Sequence, residues 1–498
     1  MARSRLRVLL DLSMAGRGYC GIAQDVRLLY KTLALCPEID VTGLVYRPQK
    51  FARWHRFARA NAPRSARAAN QAEFLWKLAE PRIDWPTFGM ARWLEQLRVV
   101  GSTLAAPGPR MDELDTEKFW PTLWRLLFSQ TLSPKDVPLI QRGKFVLSNF
   151  SDGMVFARTF SNRRPLPLDT RGYDFLIVQG PRSFRTSPGT QQIVRYHDMI
   201  PILEPDTMAN PLVIRWHDRA IRENRAGHFV CNSEPTRDQL VRVHPELAER
   251  SATIPYALSE VYRSERNTAA LRSIITQRRS PASGAGPKPA AGWRYIMSVS
   301  TLEPRKNFLN LIRAFTQLKE TSGDRRLKLV IVGSPGWSYQ PIMAAVRSLV
   351  ERGHVIHLED VSPEELRVLY THTEALVFPS TAEGFGFPPL EALACGVPVI
   401  ASDLAAHRWV LDDAALYCHP HDVSTIAAAI KRLVLSDESS ALRRGLLARG
   451  RERVARFSRE RCSDEWLQLL TRLREEAPER GGDAKRVAAE QRDTRKIA

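Results

Sequence analysis

One alternation constrains this chain more than any other feature, because it lapses once and then restarts. Short apolar runs alternate with amphipathic stretches: LRVLLDL (6–12), a helical period from Gly21 to Leu35, then VTGLVY (41–46). After an irregular stretch come FVLSNF (145–150), DFLIVQG (174–180), QIVRYHD (192–198), FVCNSE (229–234) and ATIPYA (252–257). Apolar runs of this kind, spaced by helices, fit strands buried on both faces of a parallel sheet. The pattern stops at 265–292, where RRSPASGAGPKPAAG has the composition of a linker. It resumes with RYIMSVS (294–300), NFLNLIRAFTQL (307–318), LKLVIVG (327–333), a helix over 340–351, EELRVLY (364–370), ALVFPS (375–380), PLEALACG (389–396), VPVIAS (397–402) and IAAAIKRLVL (426–435). The expectation is two doubly wound α/β domains. The first covers 1–264 with an insert at 47–144, and the second covers 293–458. An amphipathic helix at 459–474 is expected to return to the first domain, and the charged tail 475–498 to be disordered.

A formal charge of +19 draws the chain toward an anionic partner without choosing among nucleic acid, acidic lipid and phosphorylated substrates. The six cysteines are scattered and include no C-x-x-C pair, so they read as reduced thiols in a cytoplasmic protein with no structural metal. The basic N-terminus is followed by an apolar run that meets Asp11, with no small-residue cleavage site behind it. No run of 18 apolar residues occurs, so any membrane contact is expected to be peripheral, at the inner face of the cytoplasmic membrane.

The chemistry concentrates in PSTAEGFGFPPLEALACGVPVIAS, 379–402. Gly384 and Gly386 clear the end of a strand, Pro388 and Pro389 suit the first turn of a helix, and Gly396 suits its end. Such a strand, glycine loop and helix aim free N–H groups and a positive dipole end at one spot, which favours phosphate. Glu383 and Glu391 flank that loop and can face one cleft as acceptors for sugar hydroxyls; the bland alternative is helix-terminal charge and a solvated loop. In SVSTLEPRKNFLNLIRAF (298–315), Arg305 and Lys306 precede a helix whose expected N-cap is Asn307. A fork and a point charge side by side suit a diphosphate, or are merely two surface cations.

E-P-R-K-N after one strand, followed by E-G-F-G-F-P-P-L-E-A-L-A-C-G, resembles the retaining GT-B glycosyltransferases of family 4, with their bacterial mannosyl- and rhamnosyltransferases. The likeness covers 293–475 well and is patchy before that. It implies a GT-B fold, two Rossmann-like domains facing a cleft, and a nucleotide-sugar co-substrate with no cofactor and no metal. It assigns the donor diphosphate to Arg305 and Lys306, donor-sugar hydroxyls to Glu383, and the ribose to Glu391. The backbone of Gly384, Phe385 and Gly386, together with Gly333, would lie against sugar and phosphate, and Val361 in HLEDVSPEEL near the base. His197 and Asp198 of the His-Asp pair would face the transferred sugar across the cleft, His197 as a catalytic residue. The absence of D-x-D fits metal-independent transfer. By resemblance the donor is GDP-mannose and the acceptor a glycan or lipid-linked intermediate of cell-surface polysaccharide or lipopolysaccharide synthesis. The competing readings are a non-catalytic partner-binding subunit on the same fold and a sugar-nucleotide isomerase.

GRGYCG (16–21) spells the dinucleotide fingerprint G-x-G-x-x-G, but its surroundings do not fit. Ser13, Met14 and Ala15 separate it from the strand, and VTGLVY ends at Tyr46 and Arg47 where an acidic residue should meet a ribose. In the resembled family this is a loop facing the cleft, with Gly21 its best match; Ala23-Gln24 departs from the common Gly-Arg, so acceptor recognition is expected to differ. In 47–77, Lys50, Arg53, Arg56 and Arg59 adjoin Phe51, Trp54 and Phe57 at helical spacing, with no acid between Arg47 and Ala72. That pattern suits an anionic membrane surface. No nucleic-acid-binding module is recognisable, so no specific nucleic acid is expected. Residues 78–144 receive no reading.

Overall fold

The computed structural model describes residues 4–47, 62–79, 109–151, 155, 165–182, 184–207, 212–284, 286 and 292–476. The aromatic-cationic core of the basic insert, 48–61, and the tail beyond 476 lie outside them. In the first half the strands are Leu6–Asp11 (β1), Ile39–Arg47 (β2), Met111–Glu113 (β3), Lys144–Ser151 (β4), Leu166–Pro167 (β5), Phe175–Gln179 (β6), Phe184–Arg185 (β7), Gln191–Tyr196 (β8), His228–Cys231 (β9) and Ser251–Thr253 (β10). Eight of them form one sheet in the order β10-β9-β8-β6-β1-β2-β4-β3, and β5 pairs with β7 apart from it. All neighbours in the large sheet are parallel except the edge strand β3, which runs antiparallel to β4. The second half supplies Arg294–Val299 (β11), Leu327–Val332 (β12), Val355–Leu358 (β13), Leu376–Phe378 (β14), Val399–Ser402 (β15) and Ala415–Cys418 (β16). These make an all-parallel sheet, β13-β12-β11-β14-β15-β16.

Strand order reverses at β1 in one sheet and at β11 in the other. Loops leaving the carboxyl ends of such strands border a crevice where α/β proteins bind ligands. In β1, Val8, Leu9 and Leu10 pair on one side with Val41, Thr42 and Gly43 and on the other with Phe175, Leu176 and Ile177. Both faces of β1 are covered, which accounts for its unbroken apolar run. β1 ends on Asp11, whose buried carboxylate accepts from Ser13 N (2.8 Å) and Tyr46 Oη (3.0 Å). Tyr46 therefore occupies the place where a dinucleotide-binding unit would need its ribose acid. β3, β13 and β16 were not anticipated, nor were the two-residue strands β5 and β7.

The described part of 78–144 adds the edge strand β3 and a helical unit to the first domain. Helix Thr116–Leu123 runs into a π-helical turn, Trp124–Phe128, closed by Ser129 N to Trp124 O at 2.8 Å. Its Phe128 packs on Tyr30 of helix Gly21–Ala34, with ring centroids 5.1 Å apart. The predicted strand 252–257 is cut to β10, because from Ile254 on the carbonyls turn to Arg195: its guanidinium donates to Ile254 O (2.6 Å) and Pro255 O (3.2 Å). Tyr256 already packs in the second domain, stacked on Phe387 at 4.9 Å. Inside the stretch read as a linker, Thr268–Gln277 is a helix capped by Asn267, and it buries Ile274 and Ile275 in that same core. The final helix, Arg459–Glu475, places Trp466, Leu469, Leu470 and Leu473 in the core of the first domain. Arg195 sits between these parts, buried, paired with Asp25 at 3.1 Å and lying over the rings of Tyr256 and Trp466.

Candidate functional site

The facing loops enclose a cleft of about 640 Å³, lined by Gly21, His197, Asp198, Arg305, Lys306, Gly333, Val361, Glu383, Gly384, Phe385, Gly386 and Glu391. Every residue singled out in the sequence as a site candidate thus comes to one place.

The second domain supplies the charge. After β11 the chain makes a single 3-10 turn, Pro304–Lys306. Asn307 is not the expected side-chain cap: its backbone is left-handed, with φ 60°, and its amide donates to Pro379 O (2.9 Å) and Pro420 O (2.6 Å). Asn307 therefore ties the cationic turn to the end of β14, which leads into the glycine loop. Lys306 Nζ stands 2.6 Å from Glu383 Oε1, and Arg305 3.1 Å from Oε2 and 2.7 Å from Glu303. Burial alone would raise the Glu383 carboxyl; Lys306 and Arg305 outweigh it and hold the group at about 2. Glu391, separated from Glu383 by seven residues, has the opposite fate. It is 2% exposed in helix Phe387–Ala394, and burial pushes it up to about 7 despite hydrogen bonds from Gln24 Nε2 (2.9 Å) and Tyr370 Oη (3.1 Å). One carboxylate is a fixed anion among cations. The other titrates near neutrality beneath a contact with the opposite domain.

The glycines have separate jobs. A Cβ on Gly384 would stand 2.3 Å from His197 O and 2.9 Å from Asp198 Cβ, so this position lets the domains meet. Its carbonyl accepts from Ser233 Oγ at 2.7 Å, and Ser233 also caps helix Glu234–Val243. Gly386 has φ 98° and opens helix Phe387–Ala394. At Gly333 a Cβ would fall 1.9 Å from Ser300 O, so the ends of β11 and β12 can approach. Gly21 faces Phe387, 3.2 Å from where its Cβ would lie.

His197 is buried, and its ring is kept neutral by burial first and by Arg195 and Arg182 next. Asn232 Nδ2 donates to Tyr256 Oη at 2.9 Å, and Tyr256 Oη shares a hydrogen bond of 2.7 Å with His197 Nδ1. The other ring nitrogen, Nε2, has no hydrogen-bond partner among the described residues. Asp198 accepts from Ile200 N at 3.1 Å and is raised by burial. The cleft also includes Gln24, Gln130, Thr131, Asn232, Tyr256 and Tyr262, none of which was picked out. Gln24 was noted only as a departure from pattern, and Gln130 and Thr131 sit in a stretch that received no reading.

Two parallel-sheet domains meeting across such a cleft define the GT-B fold. Sucrose-phosphate synthase from Thermosynechococcus elongatus superposes with a TM-score of 0.56 at 19% identity, over 94% of this chain and 99% of that one. Anabaena Alr3699/HepE, solved in complex with UDP and glucose, gives 0.52 at 14%, over 94% and 100%. Residues 287–452 match the family described as glycosyl transferases group 1, and the second domain belongs to it. The chain has the GT-B fold, and its second half is a glycosyltransferase domain. Among its relatives, O-antigen chain mannosyltransferase B of Escherichia coli is 28% identical over 61% of this chain and 76% of that protein. O-antigen chain mannosyltransferase RfbU of Salmonella typhimurium is 27% identical over 49% of this chain and 60% of its own length.

Proposed function

We propose that this chain transfers mannose from GDP-mannose, with retention and without a metal ion, to a glycan or lipid-linked acceptor in O-antigen lipopolysaccharide synthesis. The observation that carries the reading is the convergence of Arg305, Lys306, Glu383 and Glu391 on one interdomain cleft. Relatives described as O-antigen mannosyltransferases support the mannosyl group and the pathway. As the bond from the sugar's anomeric carbon to the diphosphate breaks, charge grows on the leaving oxygen. Arg305, Lys306 and the start of helix Phe387–Ala394 are placed to stabilise it. Those cations do what a divalent ion would otherwise do, which supports the metal-independent reading. Retention follows if the acceptor oxygen attacks on the face the diphosphate leaves, its proton passing to a phosphate oxygen. His197 Nε2 is available to a donor-sugar hydroxyl, and Glu391, once freed from Gln24, to the ribose.

The test is a panel of nucleoside diphosphates and nucleotide-sugars scored by thermal stabilisation, with Glu391→Ala beside wild type. Ligand at 100 times its Kd should add roughly 2.7 kcal/mol. GDP and GDP-mannose should stabilise wild type and lose most of the effect in the variant. Transfer that persists in EDTA and yields the α-anomer by NMR completes the case; stabilisation by no nucleotide would end it.

A further inference from the structure

Arg27 is the largest buried polar investment on the first-domain side of the cleft. It is fully buried in helix Gly21–Ala34 and has no carboxylate partner among the described residues. Five oxygens take its protons instead. Ala15 O (2.9 Å) lies just before the GRGYCG loop and Gly18 O (2.8 Å) within it; Leu127 O (2.7 Å), Gln130 Oε1 (2.7 Å) and Thr131 Oγ1 (2.8 Å) belong to the inserted helical unit. One guanidinium thus fastens a loop of the domain proper to a segment outside the group 1 match, and both border the cleft.

The polarity of these bonds matters. Guanidinium has no lone pair to offer, so Gln130 and Thr131 must both accept from it. The Gln130 oxygen is thereby fixed, and its NH2 group is left as a donor. The Thr131 oxygen is likewise occupied, and its hydroxyl proton must point elsewhere. Both side chains line the cleft, and neither of these remaining donors has a partner among the described residues.

From this arrangement we infer that Gln130 and Thr131, polarised by Arg27, form a subsite that donates hydrogen bonds to hydroxyl oxygens of the acceptor saccharide. The inference rests on the glycosyltransferase reading and adds to it the acceptor's binding residues. Arg27 is a positioning residue and touches no substrate. Gln130 and Thr131 line from the first domain the same cleft that Arg305 and Lys306 line from the second, and the inferred subsite governs acceptor recognition and leaves donor binding alone.

The experiment uses the full chain, GDP-mannose as donor and octyl α-mannopyranoside as acceptor probe. Gln130→Glu keeps the shape and adds an attractive charge for Arg27, but removes the donating NH2. A structural role for Gln130 predicts unchanged or improved behaviour. The subsite predicts an acceptor KM raised roughly tenfold, with donor KM and acceptor-free hydrolysis of GDP-mannose within twofold of wild type. Thr131→Val should act in the same direction, and Thr131→Ser should restore the wild-type value. Equal acceptor KM in wild type, Gln130→Glu and Thr131→Val overturns the inference. So does the absence of NMR saturation transfer from wild type to the glycoside while GDP still binds, an outcome that leaves the donor reading standing. Failure of GDP and GDP-mannose to bind at all takes both down.

Discussion

The two glycine loops that face each other across the cleft are held in shape by opposite means. The loop at 384–386 announces itself, because each neighbour carries part of the chemistry: a carboxylate before it, prolines in the helix after it, a second carboxylate one turn further. The loop at 16–21 carries the more famous spacing and means less. Its shape is imposed from outside by Arg27, which lies in the next helix and also holds residues 127–131. A loop that makes its own site is local in sequence; a loop that is held in place is not.

The sharpest way to break this comparison is to remove charge from the self-contained loop's partner. Arg305→Ala should lower kcat by roughly 10²–10³, the loss expected when one preorganised charge at a developing anion is deleted. Lys306 still neutralises Glu383, so folding should survive, and thermal melting beside the rate assay checks this. A rate within threefold of wild type would show that the diphosphate is held elsewhere.

The two glutamates of the same motif give the next largest effect, with opposite signs. Glu391 is raised to about 7 from an ordinary 4.5, so its contribution to stability is full below 4.5 and is lost as pH rises through 7. Glu383 is lowered to about 2, so its contribution is full above 4.5 and is lost only as pH falls toward 2. Each shift corresponds to something on the order of 3 kcal/mol. Between pH 5 and 8 the unliganded wild type should therefore lose Tm relative to Glu391→Gln. A Glu383→Gln variant should be less stable than wild type by the same margin across that whole window. Parallel melting curves for wild type and Glu391→Gln would contradict the burial argument.

How much could be read in advance follows the same division. The alternation and the linker-like break placed two α/β domains, because helix and strand periods are local properties. The second-domain site was legible because Arg305, Lys306, Glu383 and Glu391 lie in two continuous stretches. Gln24 meeting Glu391, Tyr256 orienting His197 and Arg27 gripping Thr131 were not, because each contact joins residues distant in the chain through tertiary packing. Asn307 failed in a different way. It is a good capping residue by type, but the turn it closes needs a left-handed backbone and spends its amide on Pro379 and Pro420.

Alanine in each loop gives the finest comparison. Gly384→Ala drives a methyl into His197 O at 2.3 Å, backbone that cannot swing aside, so the domains must part. We expect a loss of roughly tenfold or more in kcat/KM from misplaced groups, with the separate domains still folded. Gly18→Ala meets nothing within 4 Å, and its only penalty is a left-handed φ of 74°. That costs about 1 kcal/mol in stability, read as a small fall in Tm, and the rate should stay within a few fold. Gly18 keeps its carbonyl on Arg27 whatever its side chain, so the loop's position survives the change. If Gly18→Ala proved as damaging to turnover as Gly384→Ala, the first loop would have to touch substrate through its own backbone, and Arg27 would no longer explain its shape.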